Sequence, residues 1–261
     1  MADLRNPKEV LVSTYHPGRK LAKFSVKIKN APGAIAEVSK TLAKMGVNIL
    51  LGFHIANPAE EEARWSFFVD LTGLDAKPEE LVKQVKGLGA VLEVSVTEAK
   101  FDGLIIDDSF PLLASGERSL VLRVETWGEI YGRLLEKFGS GAGVILYEMG
   151  VSAGENKAQW VVERYGVNGL NALQIILAER TAKGWGIPNL AGFNEKKFEA
   201  TIKVQDLFEC LPFKGKHKEA KSHFFRGYLT GAFKKLFNKE VATTEVECVA
   251  KGDLNCKFII K

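Results

Sequence analysis

The sequence predicts an α+β protein of two domains, and three observations carry that prediction. Residues 20–99 alternate short strand-like and helix-like patterns in the order strand, helix, strand, strand, helix, strand. Residues 117–261 group several helices ahead of a set of alternating strands, as expected of helices segregated against an antiparallel sheet. The chain has 261 residues, enough for two cores of ordinary size.

In the first stretch, Phe24, Val26 and Ile28 alternate with Lys23, Ser25, Lys27 and Lys29, the period of a half-buried strand. Asn30-Ala31-Pro32-Gly33 ends that strand. Ile35, Val38, Leu42 and Met45 then recur at helical spacing, with Gly46 as the stop. A second strand is expected at residues 47–56, a turn at Asn57-Pro58 and a third strand at residues 65–71. Residues 78–87 read as a helix opened by proline, and Leu92, Val94 and Val96 mark a fourth strand. This order is the ferredoxin-like split unit. Residues 1–19 are an N-terminal extension, and residues 100–116 are a connector with one strand at Leu104–Ile106.

For the second domain, residues 117–261, the patterns predict a strand at 120–124 and helices at 126–138, 142–149, 153–165 and 169–183. Alternation from Phe198 to Val204 marks a strand, residues 218–237 a long helix, and residues 240–250 and 255–260 two last strands. A Gly252-Asp253 hairpin is expected to join these two.

Composition narrows the function classes. Hydrophobic residues make up 46% and charged residues 26%, a soluble globular balance, and no apolar run reaches the ~20 residues of a membrane helix. The first eight residues lack the apolar core of a secretory signal, and three cysteines are an odd number for a disulfide framework. Together these point to the cytoplasm. The net charge of +4 is spread along the chain, and the densest basic run, residues 214–221, is interrupted by Glu219. That is a solvated face and argues against nucleic-acid binding. There is no Walker loop, and Gly139, Gly141 and Gly143 follow a helix and miss the dinucleotide fingerprint. No nucleophile or acid–base constellation stands out, so no catalytic residue is assigned.

The chemistry-bearing residues cluster near the C-terminus. Glu245, Cys248 and Cys256 fall within twelve residues, and Cys210 completes three thiols and one carboxylate. Such a set fills a tetrahedral zinc site and leaves no position for water, which makes it structural. Glu245 and Cys248 are three residues apart, so an ideal strand sends them to opposite faces. Both reach one ion only if a bulge or bend lies between them. His217 and His223 are the alternative ligands, and three ordinary core cysteines the plain alternative.

Two resemblances follow from these motifs. Asn30-Ala-Pro-Gly33-Ala-Ile35, with Lys44-Met-Gly46-Val-Asn48-Ile49 behind it, resembles the ACT domain over residues 20–99. The resemblance implies an amino-acid or metabolite site at Asn30, Pro32, Gly33, Ala34, Ile35 and Asn48, formed across a dimer interface. Asn30 stands where aspartate is common in that family. A turn-and-cap role for Pro32-Gly33 alone is the alternative. Glycine at 33 permits a tight turn, and the amides after it suit a carboxylate.

Leu207-Phe-Glu-Cys210, Phe225-Arg-Gly227-Tyr-Leu-Thr-Gly231 and Glu245-x-x-Cys248 through Gly252-Asp253 to Cys256-x-Phe258 resemble the 4-vinyl-reductase, or hydrocarbon-binding, domain over residues 112–261. That resemblance implies structural zinc on Cys210, Glu245, Cys248 and Cys256, and a chamber beside it for an apolar or aromatic ligand. Tyr147, Trp160, Trp185, Phe224, Phe225 and Tyr228 are the candidate chamber residues, although packing against the sheet also explains them. The implied protein is a non-enzymatic, homodimeric, small-molecule-binding regulator. A reductase or accessory factor in tetrapyrrole vinyl-group chemistry and a protein-docking scaffold are the alternatives.

Overall fold

A computed structural model describes residues 7–10, 12–75 and 77–261. The expectation about a signal at the very N-terminus falls largely on residues 1–6, outside the described residues. The chain divides into two compact units, residues 1–119 and 120–261.

In the first unit, β1 (Ser13–Tyr15) precedes β2 (Leu21–Lys29), α1 (Ala34–Lys44), β3 (Asn48–Ala56), β4 (Glu62–Asp70), α2 (Pro78–Lys86) and β5 (Val91–Glu98). The last six follow the expected strand–helix–strand–strand–helix–strand order. Their four strands form one antiparallel sheet in the order β3-β4-β2-β5. The alternation of β2 buries Phe24, Val26 and Ile28 with Phe67 and Val69 of β4 and with Val38, Leu42, Leu81 and Val85 of the two helices. On the other face, Leu21 and Phe68 pack with Ile105 of β6 (Leu104–Ile106), which pairs antiparallel with β1. The residues read as an N-terminal extension therefore supply a strand. Two short strands, β7 (Leu113–Ala114) and β8 (Glu117–Arg118), close the unit as a hairpin.

Lys23 breaks the alternation. It lies on the polar register of β2 yet is buried, and its Nζ donates to Asp107 Oδ1 at 2.9 Å, Asp108 Oδ1 at 2.5 Å and Ser109 Oγ at 3.3 Å. Burial of an ammonium requires such partners. The connector provides them.

The second unit contains α3 (Val124–Phe138), α4 (Ser140–Tyr165), α5 (Gly169–Ala182), β9 (Ile187–Asn194), β10 (Glu199–Gln205), α6 (His223–Phe237), β11 (Thr243–Glu247) and β12 (Cys256–Ile260). Its antiparallel sheet has the order β11-β12-β10-β9. Ala200, Ile202, Val204, Phe258 and Ile260 of the sheet pack against Leu173, Ile176 and Leu177 of α5 and against Phe225, Leu229 and Phe233 of α6.

Several sequence expectations are corrected here. Residues 120–124 form no strand: Leu120 is 82% exposed, no ladder forms there, and Val124 already begins α3. The two helices expected at 142–149 and 153–165 are one 26-residue helix. Gly150 reads as an interruption because glycine costs about 1 kcal/mol in a helix interior. Here glycine is required by a neighbour. A Cβ on Gly150 or Gly154 would lie 2.0 or 2.1 Å from the backbone oxygens of Phe224 and Tyr228 on α6. Reciprocally, a Cβ on Gly227 or Gly231 would lie 2.0 Å from those of Tyr147 and Val151. Four glycines bring two backbones together as no other residue permits.

Strand β9 had no sequence signal because Pro188 and Gly192 interrupt it. It is an edge strand, where proline is tolerated. Helix α6 starts at His223 rather than 218. The last strand pair is linked by a 3₁₀ turn at Val249–Lys251 with Gly252 at φ +101°, a longer connection than the two-residue hairpin expected.

Candidate functional site

Four elements converge at the N-terminus of α6. Cys210 follows β10 and enters a 3₁₀ turn (Leu211–Phe213); Glu245 lies on β11, Cys248 just beyond it, and Cys256 opens β12. One donor atom from each of these four residues falls within 4.8 Å of all the others. Three thiols and the carboxylate thus share one small volume, and all three cysteines are fully buried. The bulge that the three-residue offset demands is present. The β11–β12 register shifts between Glu245 and Glu247, so Val246 is the extra residue.

The donor set fits a tetrahedral cation. Zinc–sulfur bonds of ~2.3 Å imply ligand–ligand spacings of roughly 3.8 Å, and Cys210 Sγ lies 3.4 Å from Cys248 Sγ. A disulfide is absent, and all three thiols are free. Hydrogen bonds from the Cys210 and Cys256 thiols hold the Cys248 thiol far below the usual thiol range, so it is the first to ionise. The Cys210 thiol, hydrogen-bonded to that thiolate and buried, is pushed up. A metal would take all three as thiolates.

Two residues that the sequence reading did not assign support this cluster. Ser222, one residue before α6, donates its N–H to Glu245 Oε2 at 3.1 Å and its hydroxyl to Oε1 at 2.6 Å. It fixes the carboxylate in the way outer groups orient metal ligands. Glu209 is fully buried and accepts the N–H groups of Phe224 at 2.7 Å and Phe225 at 2.8 Å, two of the orphan donors of the first turn of α6. Burial pushes its carboxyl up to about 8, against the lowering by those two N–H bonds. Burial also pushes Glu245 to about 8, helped by the negative charge at Cys248. A Ser just ahead of a helical run is an N-cap signal. Glu209 stood inside a quoted motif but had no local sign of burial.

The alternative histidines are not part of the site. His217 packs edge-on to Phe213, and His223 lies against Gly143. Asp253 accepts the N–H of Cys248 at 2.7 Å, holding the turn shut from within.

Of the candidate chamber residues, Trp185, Phe224 and Tyr228 come together. Trp185 lies 5.6 Å from Phe224 and 5.2 Å from Tyr228 between ring centroids. Trp127 and Phe208, which sequence reasoning missed, complete the cluster: each touches Phe224, and Phe208 also touches Trp185. Phe225 stacks on Tyr228 and packs on Phe258 of the sheet. The rings of Tyr147 and Trp160 make other contacts. Tyr147 donates to Thr230 beneath Arg226, and Trp160 sits under Lys157 and against Tyr165.

In the first unit, Gly33 adopts φ +90° just before α1, Ala34 is buried, and Asn48 opens β3. The Asn30 amide donates to both Asn57 O and Glu60 O at 2.8 Å, clamping the neighbouring turn.

Residues 200–261 match the family model of the 4-vinyl-reductase domain. No curated protein matches the chain. The phenol-responsive sensory domain of the transcription activator PoxR is similar in structure. It shares 20% identity at a TM-score of 0.51, over 56% of this chain and 78% of that one. A vinyl-4-reductase family protein from Methanocaldococcus jannaschii aligns at 21% identity and TM-score 0.39, over 55% of this chain and 83% of that chain. The ACT domain of a Chlorobium tepidum GTP pyrophosphokinase aligns at 14% identity and TM-score 0.25, over 30% of this chain and 99% of that domain. The second unit is thus 4-vinyl-reductase-like, with the fold of a known sensory domain. Among the described residues, no helix is long and apolar enough to cross a membrane.

Proposed function

We propose that this chain is a non-enzymatic regulatory protein that binds small molecules, with an apolar or aromatic ligand held in its second unit. The observation that carries this reading is the four-donor cluster at the start of α6. It offers no open coordination position for chemistry, and Phe224 and Tyr228 of the same helix lead into an aromatic cluster. Cys210, Glu245, Cys248 and Cys256 hold a structural zinc ion, which ties the β11–β12 connection to the end of β10.

In this reading, residues 20–99 form an ACT-like domain of ferredoxin-like topology, residues 100–116 connect, and residues 117–261 form the ligand-binding domain. The loop from Asn30 to Ile35, with Asn48 behind it, receives an amino acid or similar metabolite. The protein works as a cytoplasmic homodimer. Native mass spectrometry of untagged protein, with elemental analysis, tests the proposal. One zinc per chain and a small apolar ligand are expected. Metal-free protein that carries no ligand and yields its vinyl-reduced product from a tetrapyrrole would replace this reading with the reductase.

A further inference from the structure

Near Trp185 the second unit buries cations that its own carboxylates do not balance. Glu179 of α5 is shared by three of them. Its Oε2 pairs with Lys157 Nζ, lies 3.5 Å from Arg180 Nη2 and 3.9 Å from Lys183 Nζ. The side chains of Lys157 and Arg180 are only 12% and 5% exposed. Lys157 gains some relief from the Trp160 ring, 3.7 Å away, but two positive charges remain unmatched by this carboxylate. Water is largely excluded there, so the excess is costly.

Arg180 shows where an anion would be received. Its guanidinium carbon lies 4.3 Å from the centroid of the Trp185 ring and 5.2 Å from that of Tyr228. Stacking fixes the guanidinium plane and leaves its edge for acceptors. Nε and Nη2, the pair of donors that grips a carboxylate side-on, are both buried and both lack a hydrogen-bond acceptor. The Tyr228 hydroxyl, on a residue 1% exposed, is also buried without a partner, as is the indole N–H of Trp127 in the same ring cluster. A neutral apolar ligand would leave both the charge and the donors unsatisfied.

We propose that the cluster of Trp127, Trp185, Phe208, Phe224 and Tyr228 takes a ligand with an aromatic or apolar body and a carboxylate head. Arg180 is its anion receptor and the Tyr228 hydroxyl its second donor. This rests on the reading of the second unit as a ligand-binding domain and adds the ligand's charge. The rings are in contact, so a ligand parts them as it enters, and the fluorescence of Trp127 and Trp185 reports that event.

The test titrates the full chain with matched pairs, benzoate against benzyl alcohol and 1-naphthoate against 1-naphthylmethanol, by tryptophan fluorescence and calorimetry. The carboxylate of each pair is expected to bind at least about tenfold tighter than its alcohol. Arg180→Gln removes that preference and leaves alcohol binding within about threefold. Should Arg180→Gln fail to fold, Tyr228→Phe, which deletes one oxygen, is expected to weaken the carboxylate about threefold or more. Equal binding of both members overturns the anion receptor and leaves the ligand-binding domain standing. A carboxylate preference that survives both substitutions overturns the assignment to Arg180 and Tyr228. Binding of neither member overturns this inference, and the ligand-binding reading is then decided by the native mass spectrum.

Discussion

In the first unit the buried Lys23 has two carboxylates and a hydroxyl within hydrogen-bond reach, whereas in the second the buried Arg180 stacks on an indole with two nitrogens unpartnered. The same contrast runs through both cores. The first is one sheet under two helices, built by side-chain periodicity, with its charged exception neutralised by its own connector. The second adds three thiols, two buried glutamates and a helix pair in backbone contact. It buries groups whose charge or valence calls for something beyond the chain. Self-sufficiency in one unit and unfilled valence in the other are what separate a scaffold from a site.

Metal removal would exploit this contrast most strongly. Chelation of the full chain is expected to lower the thermal transition of the second unit by about 10–20 °C and leave that of the first in place. Differential scanning calorimetry would show the two transitions, and a chelator that moves neither would refute the zinc clasp. Next in size is Gly150→Ala, which drives a methyl group into the backbone oxygen of Phe224. A loss of about 3 kcal/mol in the second unit's urea stability is expected, with the first unit unchanged.

A smaller effect belongs to the first unit. Asp107→Asn leaves Lys23 with Asp108 still in reach, so about 1 kcal/mol should be lost, measured by the same urea titration. A loss several times larger would show that the exposed Asp108 does not share the charge. The smallest expected change is a gain. Gly141 sits on α4 with nothing within 4 Å of a Cβ, so Gly141→Ala should stabilise by about 0.5–1 kcal/mol. Opposite signs for Gly141→Ala and Gly150→Ala on one helix would separate glycine as a helix cost from glycine as a contact.

The first unit was legible because its information is local. The alternation at Phe24, Val26 and Ile28 and the helical spacing at Val38 and Leu42 correspond directly to buried faces. Its misreading was Lys23, whose period says solvent and whose partners lie more than eighty residues away. In the second unit local signals misled more often. Leu120 to Val124 has strand composition and finds no sheet, and Gly150 looks like a break and lies mid-helix. Among site residues, the four metal-binding candidates were readable from residue type and motif. Trp127, Phe208, Ser222 and Glu209 were not, because each acts through neighbours distant in sequence.

By itself the sequence determined the order of elements in the first unit, the four-donor set and the need for a bulge between Glu245 and Cys248. These follow from side-chain period and ligand chemistry, which a linear string carries. Only the tertiary structure decided that α4 and α6 touch through their glycines, that Glu209 closes the start of α6, and that Arg180 is buried against Trp185 with its fork free. Burial and close approach depend on what the rest of the chain brings to a point in space, and no local pattern holds that information.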